Sequence, residues 1–448
     1  MNSIKHNDMT TGSPTKIIIR FAIPMMLSSI VQQLYSVADS VIVGQFVGKN
    51  ALAAIGATQA VIFLMVCLII GLTMGTCIIA SQLFGAKEYD KVKNVAGAAI
   101  YISFGAWILI AVLGLSFAAP ILRALGTPDE IFHDAWLYLI INMAFCLAPI
   151  TYNMAANIMR SLGDSKSSLY ALIVATIVNI VLDLIFVLVF GMGVAGTGIA
   201  TVISQFVSTL LCLYFIKKKH EVLHIGRKHL KPHFEVIGRI IAVGIPMSLQ
   251  NLFTSLGMIA LQSIVNRFGT DAIAAYTAAG KIDQIALMPL SSLGMAVSTF
   301  TGQNYGSRNY SRIREGVKSS IKMAVLVGVV LVLLIFPFRG FWATLFVSAK
   351  ETAVIAICKE YLGIVSIFYW LAGVMYVFLS MFRGMGRMVM STISAGLEPL
   401  AKIIAASALA YIVGRGGIWF AWPIGWFCAV LIPLVLFITG RWSREKAQ

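Results

Sequence analysis

The stretch SQLFGAKEYDKVK at 81–93 returns as GQNYGSRNYSRIR at 302–314, pairing Gln82 with Gln303 and Gly85 with Gly306. Nearly the same spacing joins AIPMML around Pro24 to GIPMSL around Pro246, and NALAAIGA from Asn50 to DAIAAYTA from Asp271. It also joins RSLGD from Arg160 to RGMGR from Arg383. Matches at four places, in order and at almost constant offset, mark an internal duplication. The chain is one unit written twice, and the fold of either half is the fold of both.

Composition says what kind of unit. Of 448 residues, 59% are hydrophobic and 12% charged, with a mean hydropathy of +0.89. A soluble chain carries roughly twice that charged share, so soluble enzymes, nucleic-acid binders and disordered chains are excluded. About 20 apolar residues cross the hydrocarbon core as a helix. Twelve segments meet that length: 15–42, 51–83, 95–119, 131–160, 167–190, 194–217, 236–267, 272–304, 314–338, 351–382, 389–413 and 417–440. Their runs are continuously apolar, without the alternation of a membrane barrel wall. The reading is an all-α integral membrane protein whose twelve transmembrane helices form two six-helix lobes. These are an N-terminal lobe at 1–216, a basic linker at 217–235 and a C-terminal lobe at 236–448. Six spans per copy is an even number, so both copies insert in the same orientation. A parallel repeat with its pseudo-twofold axis along the membrane normal is expected.

The net charge of +16 fits topology better than nucleic acid. With the N-terminus inside, Lys and Arg favour the inner connections roughly threefold, which places both termini in the cytoplasm of a multi-pass plasma membrane protein. The polar N-terminal arm lacks the apolar core of a cleavable signal. Within the linker KKKHEVLHIGRKHLKPH at 217–233, four histidines occur without a carboxylate or cysteine pattern. A solvated connection is expected there rather than a metal site. Cys67, Cys77, Cys146, Cys212, Cys358 and Cys428 lie in apolar runs without CxxC pairing and read as small buried hydrophobes.

Repeated lobes of this kind are an architecture of secondary transporters. No GxxxxGK[ST] motif is present, so an ion gradient is the expected energy source. Four acids fall well inside apolar segments: Asp39, Asp183, Asp283 and Glu398. Each needs a proton, a partner or an ion there. Tyr35 precedes Asp39 by four residues and Asn179 precedes Asp183 by four, so each pair shares a helix face. Span six adds Thr201 and Gln205, and span four adds Asn153 and Asn157. Neither acid has a base near it in its own span, Lys16 and Arg20 lying at the far end of the first from Asp39. The set suits a proton, and Asp39, Asn179, Asp183 and Thr201 offer hard oxygens to Na⁺; no other metal and no cofactor is called for.

The second copy has Leu261 or Ala260 opposite Asp39 and Ala406 opposite Asp183. Its own charges are Lys281 and Asp283 in span eight with Glu398 and Lys402 in span eleven, the last two placed to pair. Two acids and two bases cancel, which points to a chiefly structural set. Asn153, Asn157, Gln205, Lys281 and Asp283 are carried as weaker candidates for substrate contact. An acidic, aromatic-lined cavity suits lipophilic organic cations. A lipid or lipid-linked oligosaccharide flippase is the alternative, disfavoured because Lys281 and Lys402 are the basic residues placed deep within spans, the others lying toward span ends. An intramembrane enzyme is disfavoured by the scarcity of histidine, His133 being the lone case near a helix start. A monomer of two lobes suffices, and no nucleic-acid partner is expected.

These residues together resemble the multidrug and toxic compound extrusion (MATE) family of bacterial type. The resemblance rests on the proline-containing first and seventh spans, Asp39 within LYSVADSVIVG, the paired 81–93 and 302–314 motifs, RSLGD/RGMGR, and NIVLD in span five. It covers essentially the whole chain. It implies export of lipophilic cations in exchange for H⁺ or Na⁺, with Asp39, Asn179, Asp183 and Thr201 as the N-lobe cation site and Tyr35 in support. Some relatives also carry a span-seven Glu and a span-ten Asp. Here span seven offers Gln250, Asn251 and Thr254, and the interior of span ten has no acid.

Overall fold

The computed structural model describes residues 8–443; the remainder of the two expected polar ends, 1–7 and 444–448, lies outside the described residues. Helices account for the fold, and no strand forms among the described residues. In chain order they are α1 (Pro14–Ile42), α2 (Lys49–Gly85), α3 (Tyr89–Ala124), α4 (Asp129–Ala144), α5 (Leu147–Ser161), α6 (Ser165–Leu184), α7 (Gly193–Lys219) and α8 (Phe234–Val265). There follow α9 (Thr270–Gly306), α10 (Tyr310–Ile335), the short α11 (Arg339–Thr344), α12 (Thr352–Val365), α13 (Tyr369–Gly384), α14 (Met388–Ile412), α15 (Arg415–Ile418) and α16 (Ala421–Ile438). Among the described residues eleven spans are long and apolar enough to cross a membrane, and α4 with α5, bent by 46°, makes a twelfth if the pair is one span. The bend has a chemical cause. Pro149 has no N–H to give the carbonyl of Phe145 and its ring crowds that carbonyl, so the helix breaks there.

The backbone repeats as the sequence does. Among the described residues, Lys87 and Arg308 are the two non-glycine residues with positive φ, at 61° and 57°, and they are equivalent positions of the duplicated motif. Each ends a long helix in a left-handed turn.

The chain divides into two compact units. The first contains Ile23–Ser248, hence most of α1, all of α2 to α7, the linker and the start of α8. The second contains Met9–Ala22 and the chain from Leu249 onward. The chain changes unit within three residues of Pro24 and of Pro246.

Within the first unit, Tyr152, Ala155, Ala156, Met159, Ala171, Leu172 and Cys212 form a tight core between α5, α6 and α7. Small side chains permit this approach, since helix packing inside a bilayer rests on close contact rather than on escape from water. The linker is mostly exposed, but a few buried residues pin it to the first unit rather than leaving it a free connection. His220 is buried and donates from Nε2 to Asp164 at 3.0 Å. His229, also buried, lies 3.5 Å from Asp90, and Lys228 bonds the same carboxylate at 2.8 Å. Tyr101 donates to the Leu230 carbonyl. A Cβ on Gly97 would come within 2.0 Å of the His229 carbonyl oxygen, so the missing side chain is what lets the linker lie on α3.

In the second unit the N-terminal arm is held in a comparable way. Met9 donates its N–H to Gln303 at 2.9 Å and accepts from Asn304 at 3.2 Å. The guanidinium of Arg312 spans the carbonyls of Met9, Thr11 and Gly12. The duplicated 81–93 and 302–314 motifs thus each lead into a segment that holds an incoming chain.

Asp164 has two tasks. It caps α6 by accepting from Ser167 N at 3.0 Å, and it holds His220. Burial by itself would raise its pKa, but the His220 and Ser167 hydrogen bonds win and hold it at about 2. A depressed carboxylate pKa stabilises the fold above its ordinary value and loses that contribution as pH falls from about 4 toward about 2. Asp164→Asn keeps an N-cap but loses the charge, whereas Asp164→Ala loses both. Melting in detergent at pH 6 should rank wild type above Asn above Ala, the first gap corresponding to about 2 kcal/mol and closing as the pH approaches 2.

Candidate functional site

The first unit gathers the predicted coupling residues. Tyr35 and Asp39 come from α1, Asn179 and Asp183 from α6, and Thr201 from α7. The Tyr35 hydroxyl sits beside the hydroxyls of Thr201 and Ser204 and within electrostatic reach of both acids. Asp183 lies close enough to Asp39 for their charges to act on one another. Asn179 and Asp183 are completely buried.

Two features here were not read from the sequence. Directly after each acid the α-helix loosens into a π turn, Val43–Val47 beyond Asp39 and Ile185–Val189 beyond Asp183. The two π turns touch one another. Such turns widen a helix by one residue and recur at functional positions. The second feature is Tyr138 of α4, which faces Tyr35, Asp39 and Asp183. Asn142, one turn on, bonds the Tyr138 carbonyl at 2.8 Å. Their four-residue spacing was the available signal.

The site is short of partners. Oδ1 of Asp39, both amide atoms of Asn179 and both carboxylate oxygens of Asp183 are buried and bond to no protein group. An unsatisfied buried polar group costs about 1–3 kcal/mol, and an unpaired buried charge considerably more. Among the described residues no base pairs with either acid. A proton on a carboxylate, or a hard cation among these oxygens, removes that cost. Among the described residues no group of three His, Cys, Asp or Glu side chains is placed to hold a metal ion.

The weaker candidates disperse. Asn153 and Asn157 turn their amides to carbonyls of their own helix, at 2.8 and 3.0 Å, leaving Oδ1 of Asn157 buried without a partner. Oε1 of Gln205, one turn from Thr201 on α7, is likewise unpartnered. Lys281 and Asp283, two residues apart on α9, face different ways. Lys281 is exposed beside Asp271 and Glu351 in a cavity of about 520 Å³. Asp283 is buried and accepts from the hydroxyls of Tyr361 and Tyr369.

In the second unit the buried acids have partners. Lys402 pairs with Glu398, as their spacing predicts, and its ammonium lies 5.5 Å and 5.8 Å from the rings of Trp422 and Trp426. Arg383, read from sequence as part of an inner connection, instead donates to Gln250 at 2.9 Å, and Gln250 donates on to Thr392 at 2.8 Å. The units differ in their carboxylates: Asp283 and Glu398 of the second have protein partners, whereas both oxygens of Asp183 and Oδ1 of Asp39 in the first do not.

The MatE family model matches residues 24–185 and 246–406, one stretch in each copy of the repeat. The chain belongs to the MatE family. Both acids of the open site fall within the first matched stretch. As a MatE chain it is a multi-pass membrane transporter and not an enzyme. It is 30% identical to the probable multidrug resistance protein YoeA of Bacillus subtilis (strain 168), covering 95% of this chain and 94% of that one. The multidrug export protein MepA of Staphylococcus aureus (strain MRSA252) is 24% identical, with 94% and 93% covered. Among solved structures, a MOP superfamily transporter from Pyrococcus furiosus matches with TM-score 0.90 at 27% identity, covering 97% of each chain. A multidrug resistance MATE transporter in an outward-facing conformation matches equally well, with TM-score 0.90.

The Glu398–Lys402 pair is testable through stability. Lys402→Met strands Glu398 in an apolar site and should cost about 3 kcal/mol or more. Lys402→Met combined with Glu398→Leu removes both charges and should recover most of that loss. Thermal melting of the three purified proteins in detergent checks the order.

Proposed function

We propose that this MatE transporter is a cation-coupled multidrug efflux antiporter, exporting lipophilic organic cations in exchange for H⁺ or Na⁺ across the plasma membrane, with both termini cytoplasmic. The observation that carries the reading is the pair of acids, half-buried Asp39 and fully buried Asp183: Oδ1 of Asp39 and both oxygens of Asp183 are buried without a protein partner, and no base pairs with either acid among the described residues. Charge burial at such a site is relieved by an ion or a proton and restored when that ion leaves. Binding of the coupling ion therefore has two states of very different cost, which an exchange cycle needs. Tyr35, Asn179 and Thr201 complete the oxygen and amide set, and Tyr138 with Ser204 supports it. The names of YoeA and MepA, which are multidrug resistance and export proteins, support drug efflux as the use made of that cycle.

Substrate exchange follows from competition. A cationic drug and the coupling cation both gain from a negative site, so each lowers the affinity for the other by the same factor. A shared contact is not required.

Proteoliposomes with a pH gradient or a Na⁺ gradient imposed separately test this with ethidium as the exported cation. Wild type should export under at least one gradient. Asp39→Asn and Asp183→Asn should each reduce driven export at least about tenfold, the equivalent of about 1.4 kcal/mol of lost coupling, while the proteins remain folded. Export by neither gradient, or export undiminished in both variants, overturns the reading.

A further inference from the structure

A half-open apolar cavity of about 260 Å³ lies within the first unit. Its walls include Ala99 and Ser103 of α3, Ala155 of α5 and Ile216 of α7, and the linker residues Leu223 and Ile225 stand at one end. The hydroxyls that reach it are already satisfied. Ser103 donates to Ala99 O at 2.7 Å, and Thr209 to Gln205 O at 3.0 Å. Nothing in the wall asks for a polar ligand, so the space suits hydrocarbon. Phe104 and Leu213, also in the lining, are about half exposed on membrane-spanning helices, which opens the cavity toward lipid.

The linker end has the opposite character. Between 217 and 231 the segment carries six Lys and Arg residues against one acid, Glu221. Several of the bases are already engaged: Lys218 with Tyr214, Lys219 with Ser167, and Lys228 with Asp90. Lys217 and Arg227 are exposed and belong to no ion pair among the described residues. Lys217 directly follows the wall residue Ile216. His224 sits between the wall residues Leu223 and Ile225 and donates from Nε2 to the Lys217 carbonyl at 2.9 Å, drawing these positions together at the rim.

We propose that this cavity binds one acyl chain of an anionic phospholipid, whose phosphate is held at the linker by Lys217, His224 and Arg227. The apolar space alone would accept any alkyl chain, and the basic residues alone would accept any phosphate. Joined end to end they select a molecule that carries both. Basic residues at a membrane surface attract anionic headgroups, and the cavity supplies the second anchor that holds a single molecule in place. The bound lipid bridges α3, α7 and the linker.

The test uses the full chain, delipidated and then exposed to mixed micelles of equal phosphatidylglycerol and phosphatidylcholine, with retained lipid counted by native mass spectrometry. Wild type should keep one phosphatidylglycerol in preference to phosphatidylcholine by about tenfold or more. Lys217→Glu with Arg227→Glu alters exposed residues only and should bring the ratio near one. Ala99→Phe fills the cavity and should abolish retention of both lipids; if it does not fold, the charge-reversal pair decides alone. Equal retention of the two lipids by wild type, or a preference unmoved by charge reversal, overturns the proposal. So does displacement by glycerol phosphate at the concentration of the lipid, since headgroup binding without a chain leaves the cavity no role.

Discussion

Hydrocarbon offers no hydrogen bonds, so every polar group taken into the bilayer must find its partner within the protein. Almost every local choice in this chain follows from that rule. The backbone is helical throughout its spans because a helix satisfies its own amides. Buried hydroxyls such as Thr76 and Ser320 turn back to a carbonyl one turn earlier. Where a helix must bend, as at Pro149, the break is confined to a few residues. Asp283 is accepted into the second unit because two tyrosines reach it, and Lys402 because Glu398 and two indole rings do.

Against that background the open polar set of the first unit is informative. A fold that gives Asp283, Glu398 and Lys402 their partners has the means to give Asp39 and Asp183 theirs as well. It does not do so, and both acids are followed by π turns that disturb the regular backbone ladder. Local irregularity and unmet polar groups coincide at one place. Duplication explains how this asymmetry can be tolerated. Two copies of one scaffold share the work of folding, which leaves one of them free to keep a costly site.

Much of this was legible in the sequence because the bilayer imposes simple rules on it. Span length, the repeat and the four intramembrane acids follow from hydropathy and spacing, and the Glu398–Lys402 pair follows from helix periodicity. What stayed hidden depends on meetings between distant segments. Tyr361 and Tyr369 stand 78 and 86 positions from the Asp283 they hold. Tyr138 sits in an ordinary apolar run, and only packing turns it toward Asp39. The linker misled for the same reason. Its charge reads as solvated, yet burial of His220 and His229 depends on Asp164 and Asp90, which no local pattern connects to it. The comparisons supply the family, while the orphaned oxygens supply the reason to look at these acids within it.

The N-terminal arm carries a consequence for how the molecule is made. Met9 is held by Gln303, Asn304 and Arg312, partners about 300 positions later in the chain. During synthesis, Met9 and its neighbours emerge long before anything exists to receive them. The N-terminal copy must enter the membrane with its own beginning still loose. Only when the motif at 302–314 has been translated can that beginning be tied down, so the last contact made by the first segment reports that the second copy has arrived.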